Sequence, residues 1–184
     1  MAKPLIILHF QGGPHMLYAT ELRNLLNSII SDMESNKHLF LKNPEKDFSR
    51  KRKLGFKEVI RFMLTMEKDS IKRELMKYFD FSSDAPSDAA FNQQRSKILP
   101  KAFEYLFREF TSKLPRECYY KKYRLIACDG SSLHTPLNPN DEWTYCNYSK
   151  NSKAFNVIHL NAFYDILDHR YIDAVLQPFR KRNE

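Results

Sequence analysis

The hydrophobic pattern of this sequence changes its period near Tyr119, and that change constrains the fold more than any other feature. Before this point, apolar residues recur every three or four positions, which is the spacing of amphipathic helices. After it, short runs of β-branched and aromatic residues are separated by turn residues, which is typical of strands. A helical block followed by three antiparallel strands in a meander predicts an α+β fold.

Five helices are predicted between residues 16 and 118, most of them opened by a residue that favours a helix start. The predicted starts are a Thr20 cap, Phe56, an Asp69 or Ser70 cap, a Ser87 cap and Pro100. The first helix should end near Ser35, and the fourth should run through Ile98 or Leu99. Residues 1–15 match no later pattern and are interpreted as a leader or a non-native segment.

Three strands are predicted, with a long polar loop over residues 130–154 and a turn at DILDHR. The strands are Tyr123–Asp129, Phe155–Tyr164 and Tyr171–Gln177. The first is predicted to end on Asp129, where Gly130 would turn the chain. A carboxylate in that position can hold a metal ion or cap the turn, and the residues alone favour the cap. His134 is predicted to lie in the polar loop, and His159 to be half-buried and hydrogen-bonded.

The charge of the chain favours a polyanionic partner. The net charge is +8 and the isoelectric point is near 9.3. Nine basic and three acidic residues lie between Lys37 and Arg61, and basic side chains placed on phosphates release counterions. The candidate DNA contacts in this segment are Arg50, Lys51, Arg52, Lys53 and Lys57. A solvated basic loop is the alternative interpretation.

The third and fourth predicted helices resemble a helix-turn-helix. The second member of this pair and the residues after it carry the candidates Asn92, Gln93, Gln94, Arg95 and Lys97. Asn, Gln and Arg side chains can bind base edges in the major groove. Phosphate positioning would use the same residues, and exposed polar helix faces often have this composition.

Composition excludes several other classes of protein. Three cysteines without C-x-x-C spacing indicate free thiols in a reducing compartment. No apolar run reaches the length of a membrane span. The apolar residues 4–10 lack a small-residue cleavage site, so they do not predict a signal peptide.

Three stretches carry a resemblance to a known family. They are ACDGSSLHTP (127–136), FNVIHLNAFYDILDHRYIDAVLQPFRKRNE (155–184) and TELRNLLNSIISDMESNKHLFLKNPEKDFSRKRKLGFKEVIRFMLTM (20–66). Together they resemble DDE-type transposases of bacterial insertion sequences, in the insertion-sequence-four family. The resemblance implies that residues 16–118 form a DNA-binding region. It also implies that residues 119–184 contain the first three strands of a ribonuclease H-like catalytic domain.

The resemblance implies a cut-and-paste transposase that hydrolyses a phosphodiester and transfers the freed strand. Such chemistry uses three carboxylates that hold two divalent ions, Mg²⁺ or Mn²⁺. Asp129 matches the first of these acids and is the candidate catalytic residue and metal ligand. The implied partner is DNA, at the terminal inverted repeats of an insertion element. The implied location is the cytoplasm of a bacterium, at the nucleoid.

The sequence departs from the family because the second Asp and the Glu are missing after the third strand. We therefore expect a truncated, inactive form that keeps DNA binding and holds no metal ion tightly. The alternative is a non-catalytic DNA-binding regulator or inhibitor of the full-length transposase. The strand that carries Asp129 would have an open edge, so we expect self-association, cover by the helices or marginal stability of the sheet.

Overall fold

The computed structural model describes residues 14–114, 119–147 and 153–178. Residues 1–13 of the predicted leader therefore lie outside the described residues. The chain divides between Phe110 and Thr111 into two compact units, called here the helical unit and the sheet unit. This division falls ahead of the predicted boundary at residue 118. Five helices come first and an antiparallel four-stranded sheet follows, which confirms the α+β class.

The helices follow the predicted order. They are α1 (Pro14–Ser35), α2 (Phe56–Thr65), α3 (Ile71–Tyr78), α4 (Asp88–Arg95) and α5 (Lys101–Lys113), with a 3₁₀ turn over Lys37–Phe40. The Ser70 and Ser87 side chains cap α3 and α4 as predicted. The predicted Thr20 cap is wrong, because α1 begins at Pro14. Proline suits a first helical turn, where its missing N–H group would have no partner.

The predicted extension of α4 to Ile98 or Leu99 is also wrong. The helix ends at Arg95, and the chain then pairs with the segment that follows the 3₁₀ turn. The Lys42 N–H group donates to the Lys97 carbonyl at 2.9 Å, and the Leu99 N–H group donates to the Phe40 carbonyl at 2.8 Å. These bonds join the end of α4 to the start of the basic connector between α1 and α2.

The helical unit has one apolar core, to which the chain from α1 to α5 contributes. Phe62 of α2 lies at its centre, 1% exposed. Its ring meets the Phe91 ring edge-on at 4.8 Å between centroids, and the Tyr78 ring at 5.4 Å. Aromatic pairs of this geometry add to the free energy of burial. They fix α2, α3 and α4 against each other, so the core also sets where the polar residues of α4 lie.

The sheet is built around one long central strand. Its strands are β1 (Ile126–Thr135), β2 (Tyr145–Cys146), β3 (Phe155–Asp165) and β4 (Arg170–Pro178). β1 pairs antiparallel with one side of β3, and β4 pairs with β3 as well. The predicted meander is therefore confirmed. Within the described residues, β1 has β3 as its one strand partner, and most of its side chains are exposed. Self-association through this strand stays a prediction.

The first strand does not end on Asp129, as the sequence predicted. It continues to Thr135, and Gly130 and Ser131 stay in the ladder opposite Asn161 and Leu160. The backbone of Gly130 is not in the left-handed region, so no turn explains this glycine. A Cβ atom at position 130 would lie 2.9 Å from His159 Cε1. Glycine is required here by the close approach of a neighbouring side chain.

Both histidine predictions need correction. His134 belongs to β1 rather than to a loop, and its ring centroid lies 5.7 Å from that of Phe155. His159 is 5% exposed, and neither ring nitrogen has a hydrogen-bond partner within the described residues. Gly130 of the facing strand lies close to this ring and offers no side chain to it.

Candidate nucleic-acid interface and the site of Asp129

The basic connector and the end of α4 line one cleft of the helical unit. The cleft has a volume of about 330 Å³ and is called here the basic cleft. Its lining residues are Glu45, Lys46, Phe48, Ser49, Arg50, Arg52, Leu54, Gln94 and Lys97. Two members of each group of predicted DNA contacts therefore meet at this cleft, Arg50 and Arg52 from the first group and Gln94 and Lys97 from the second. The pairing of residues 40–42 with 97–99 brings them together. The cleft does not bring in the other six, which are Lys51, Lys53, Lys57, Asn92, Gln93 and Arg95.

The predicted cations of the connector differ in how they are bound. Arg50, Lys51 and Arg52 are exposed, and they form no hydrogen bond or ion pair with other described residues. Lys53 forms an ion pair with Asp84, with 2.8 Å between Nζ and Oδ2. The Lys57 ammonium donates to Ser31 Oγ at 2.8 Å. The first three cations can turn to an anion without breaking a contact, whereas Lys53 and Lys57 already have partners.

The polar residues of α4 point in different directions. Asn92 and Gln93 are exposed, and the Arg95 guanidinium lies 5.5 Å from the Phe91 ring centroid. Gln94 is 4% exposed, so its side chain is packed inside the protein and is not accessible to a base edge of DNA. Only part of the predicted surface of α4 is therefore free to meet DNA.

Lys97 lies beyond the end of α4 and is held from two sides. Its ammonium donates to Gln94 Oε1 at 3.0 Å and lies 5.6 Å from the Phe48 ring centroid. Neither of these partners is an anion, so no carboxylate offsets the charge of Lys97 at the two contacts. The charge therefore stays available at the cleft.

Five lining residues were not among the predicted contacts, namely Glu45, Lys46, Phe48, Ser49 and Leu54. Lys46 and Ser49 add a cation and a hydroxyl group, and Phe48 supplies the ring beside Lys97. The density of basic residues in the connector could have indicated Lys46. No local pattern indicates Phe48, because its role depends on Lys97, which is distant in sequence.

Asp129 lies within β1 and is exposed. It is opposite Ala162 of β3, which is opposite Ala174 of β4. Side chains alternate between the two faces of a sheet, so Asp165 and Asp173 lie on the other face. The register therefore brings neither of these acids to Asp129.

The two-metal site that the family resemblance implies does not fit this arrangement. Metal pairs of this type need several carboxylates that converge. Within the described residues, no group of three or more His, Cys, Asp or Glu side chains is placed to hold a metal ion. On the described strands β3 and β4, no acid shares the sheet face of Asp129.

Asp165 is an acid of the sheet unit that is held by several hydrogen bonds. It is fully buried and accepts hydrogen bonds from Arg124 Nε at 3.0 Å and Arg124 Nη2 at 2.8 Å. The Leu167 and Asp168 N–H groups donate to its other oxygen. Burial raises the pKa of Asp165, but these hydrogen bonds outweigh it and hold the pKa below its usual 3.8. This carboxylate fastens the β3–β4 turn, as the sequence predicted for a turn residue.

Comparisons with protein-family models, curated proteins and solved structures found no match to this chain. Within the described residues, no helix combines the length and the apolar character needed to cross a membrane.

Proposed function

We propose that the helical unit binds DNA through the basic cleft and the exposed face of α4 beside it. The observation that carries this proposal is the convergence of the unpaired Arg50 and Arg52 with Lys97 at one cleft, with the unpaired Lys51 between the two arginines in the chain. Clustered cations without carboxylate partners bind a polyanion with a gain in counterion entropy. Asn92 and Gln93 next to them could add contacts to base edges.

We further propose that this DNA is the terminal repeat of an insertion element. Support comes from the motifs at residues 20–66, 127–136 and 155–184, which resemble insertion-sequence-four transposases. On this proposal the helical unit places element ends for transposition, and the sheet unit is the start of a ribonuclease H-like domain. Asp129 would then be the first catalytic acid by descent.

The isolation of Asp129 from other acids favours a second candidate function, a DNA-binding regulator. A chain that occupies element ends without cutting them would compete with an intact transposase. Incubation with Mg²⁺ or Mn²⁺ and element-end DNA should then give no nicking that depends on Asp129. Nicking that Asp129→Ala abolishes would contradict this candidate and support catalysis by the chain itself.

The affinity for a short duplex, measured by fluorescence anisotropy over a salt series, tests the DNA-binding proposal. Replacing both Arg50 and Arg52 with Gln should lower the affinity and reduce the slope of log K against log salt concentration by about 2. The matched control replaces Lys68 and Lys72 with Gln, which removes the same charge from exposed positions outside the cleft. Equal losses in both double variants would show that only net charge matters and would contradict a site at the cleft.

A further inference from the structure

We infer that the basic cleft holds a backbone phosphate of DNA and that Gln94 and Phe48 position Lys97 to bind it. This inference rests on the proposed DNA binding and assigns Gln94 a role other than base recognition. Gln94 is a positioning residue on this account, because it acts on the phosphate through Lys97.

The contact with Gln94 orients the Lys97 ammonium group and uses only some of its hydrogen-bond donors. Gln94 is buried, and its Oε1 accepts one of the three N–H donors of Lys97. Two donors remain for a ligand. A free lysine side chain must lose much of its rotamer freedom to make such bonds, and this cost falls when a buried partner already fixes the ammonium.

Phe48 holds the other side of Lys97 and is itself fixed by the fold. Its backbone has a φ of 52°, in the left-handed region that bulky residues rarely adopt. The Lys37 ammonium donates to its carbonyl at 3.2 Å, and its ring meets Phe56 edge-on at 5.9 Å between centroids. Strained backbone of this kind persists where surrounding contacts enforce it and often marks a functional site. Here it places the ring beside the Lys97 ammonium.

The chemistry of the cleft matches a phosphate better than a base edge. Four of its lining side chains are cations, namely Lys46, Arg50, Arg52 and Lys97, and they outnumber the single carboxylate of Glu45. Lysine and arginine offer donors only, and a phosphate offers acceptors only. A base edge mixes donors with acceptors, whereas the four cations supply donors only and the Gln94 amide oxygen already accepts from Lys97.

A double-mutant cycle on the full chain tests this inference through DNA affinity. Lys97→Met should weaken binding of a short duplex about tenfold, the usual effect of losing a charge-assisted hydrogen bond. Gln94→Met keeps the side-chain volume, removes the acceptor and should weaken binding by about threefold to tenfold. The double variant should bind no more weakly than Lys97→Met alone, because Gln94 acts only through Lys97. Gln177→Met, the same substitution at a half-buried glutamine of β4 that does not line the cleft, is the matched control for Gln94→Met.

A second substitution keeps the test decisive if Gln94→Met disturbs folding. Gln94→Glu puts a carboxylate beside the Lys97 ammonium, so it should neutralise the lysine and retain the melting temperature. Its affinity should fall at least as far as that of Lys97→Met. Wild-type affinity in Gln94→Glu, or losses that multiply in the Gln94 and Lys97 double variant, would overturn the inference. The Arg50 and Arg52 double variant separates the two proposals. If it binds the duplex more weakly than the wild type, DNA binding at the cleft stands even when the inference about Gln94 and Lys97 fails. A wild-type chain that binds no duplex would overturn both.

Discussion

The two units of the molecule bury different kinds of side chain. The helical unit buries one cluster of apolar side chains, whose members lie between Ile29 and Leu106 in the sequence. In the sheet unit, the buried apolar residues within the described part of the chain are Cys146 and Val157. Its buried polar residues are Thr144, Asn156, His159 and Asp165. Apolar burial therefore holds the first unit together, whereas specific polar contacts and a strand ladder define the second.

This difference explains where each unit is sensitive to change. An apolar core loses stability in proportion to the volume removed. Loss of one partner of a buried polar contact lowers stability, because the other partner stays buried without a hydrogen bond or an opposite charge. The helical unit should respond most to truncation of large side chains, and the sheet unit to loss of single partners.

The largest effect is expected from Phe62→Ala at the centre of the helical core. Removal of its ring should lower the free energy of unfolding by about 4 kcal/mol, since it contacts both Phe91 and Tyr78. The matched variant Phe163→Ala truncates a half-buried ring of β3 and should cost clearly less. Urea denaturation followed by circular dichroism measures both. Equal costs would remove the proposed contrast between the units.

Arg124→Met should be the most damaging single change in the sheet unit. It leaves the buried Asp165 carboxylate without its charged partner and should cost about 3 kcal/mol at neutral pH. The double variant with Asp165→Asn removes the unpaired charge and should recover part of that loss. Denaturation at neutral pH measures both variants, and a double variant less stable than Arg124→Met would contradict the account.

The same ion pair predicts how the stability of the sheet unit depends on pH. The pKa of Asp165 is lower in the folded protein than its usual 3.8, so its contribution is fully present above pH 4 or so. That contribution should be lost as the pH falls through the folded value. Burial raises the pKa of Asp165, and the Arg124 hydrogen bonds oppose that effect. Arg124→Met removes them, so the pKa of Asp165 should rise and acid unfolding should occur at a higher pH. Acid titration followed by circular dichroism measures the shift. Asp165→Asn is the control, because Arg124→Met should not shift acid unfolding when position 165 carries no carboxylate.

A smaller effect is expected from Gly130→Ala, which tests the close approach of two strands. The new Cβ atom would lie 2.9 Å from His159 Cε1, and relief of this overlap should cost about 2 kcal/mol. In a His159→Ala background the same change should cost much less, because the obstructing ring is gone. Thermal denaturation of the four proteins measures the coupling. An undiminished cost in that background would show that the His159 ring is not what excludes a side chain at position 130.

The helical unit was predictable in outline because its stability comes from a repeating apolar pattern. The caps at Ser70 and Ser87 and the start of α2 at Phe56 follow from local residues alone. The end of α4 did not, because Arg95 is followed by residues that leave the helix to pair with the segment at Leu41. That pairing joins distant parts of the chain and has no local signal.

The candidate sites were harder to predict because they depend on contacts across the fold. Gly130 after Asp129 has the local signature of a turn, yet a side chain from β3 explains it. Gln94 has the composition of a base-reading residue, but the core buries it and Lys97 takes its oxygen. Sequence could identify the basic connector as a charged segment. It could not separate the free Arg50 from the paired Lys53.

The most direct test of DNA binding at the basic cleft is a titration of the ¹⁵N-labelled chain with duplex DNA, followed by amide chemical shifts. The account predicts that the largest changes fall on residues 45–54 and 92–97, with the sheet unit little affected. It also predicts that these changes are much smaller in the Arg50 and Arg52 double variant at the same DNA concentration. Shifts centred on β1 around Asp129, or no shifts at all, would contradict a DNA site at the basic cleft.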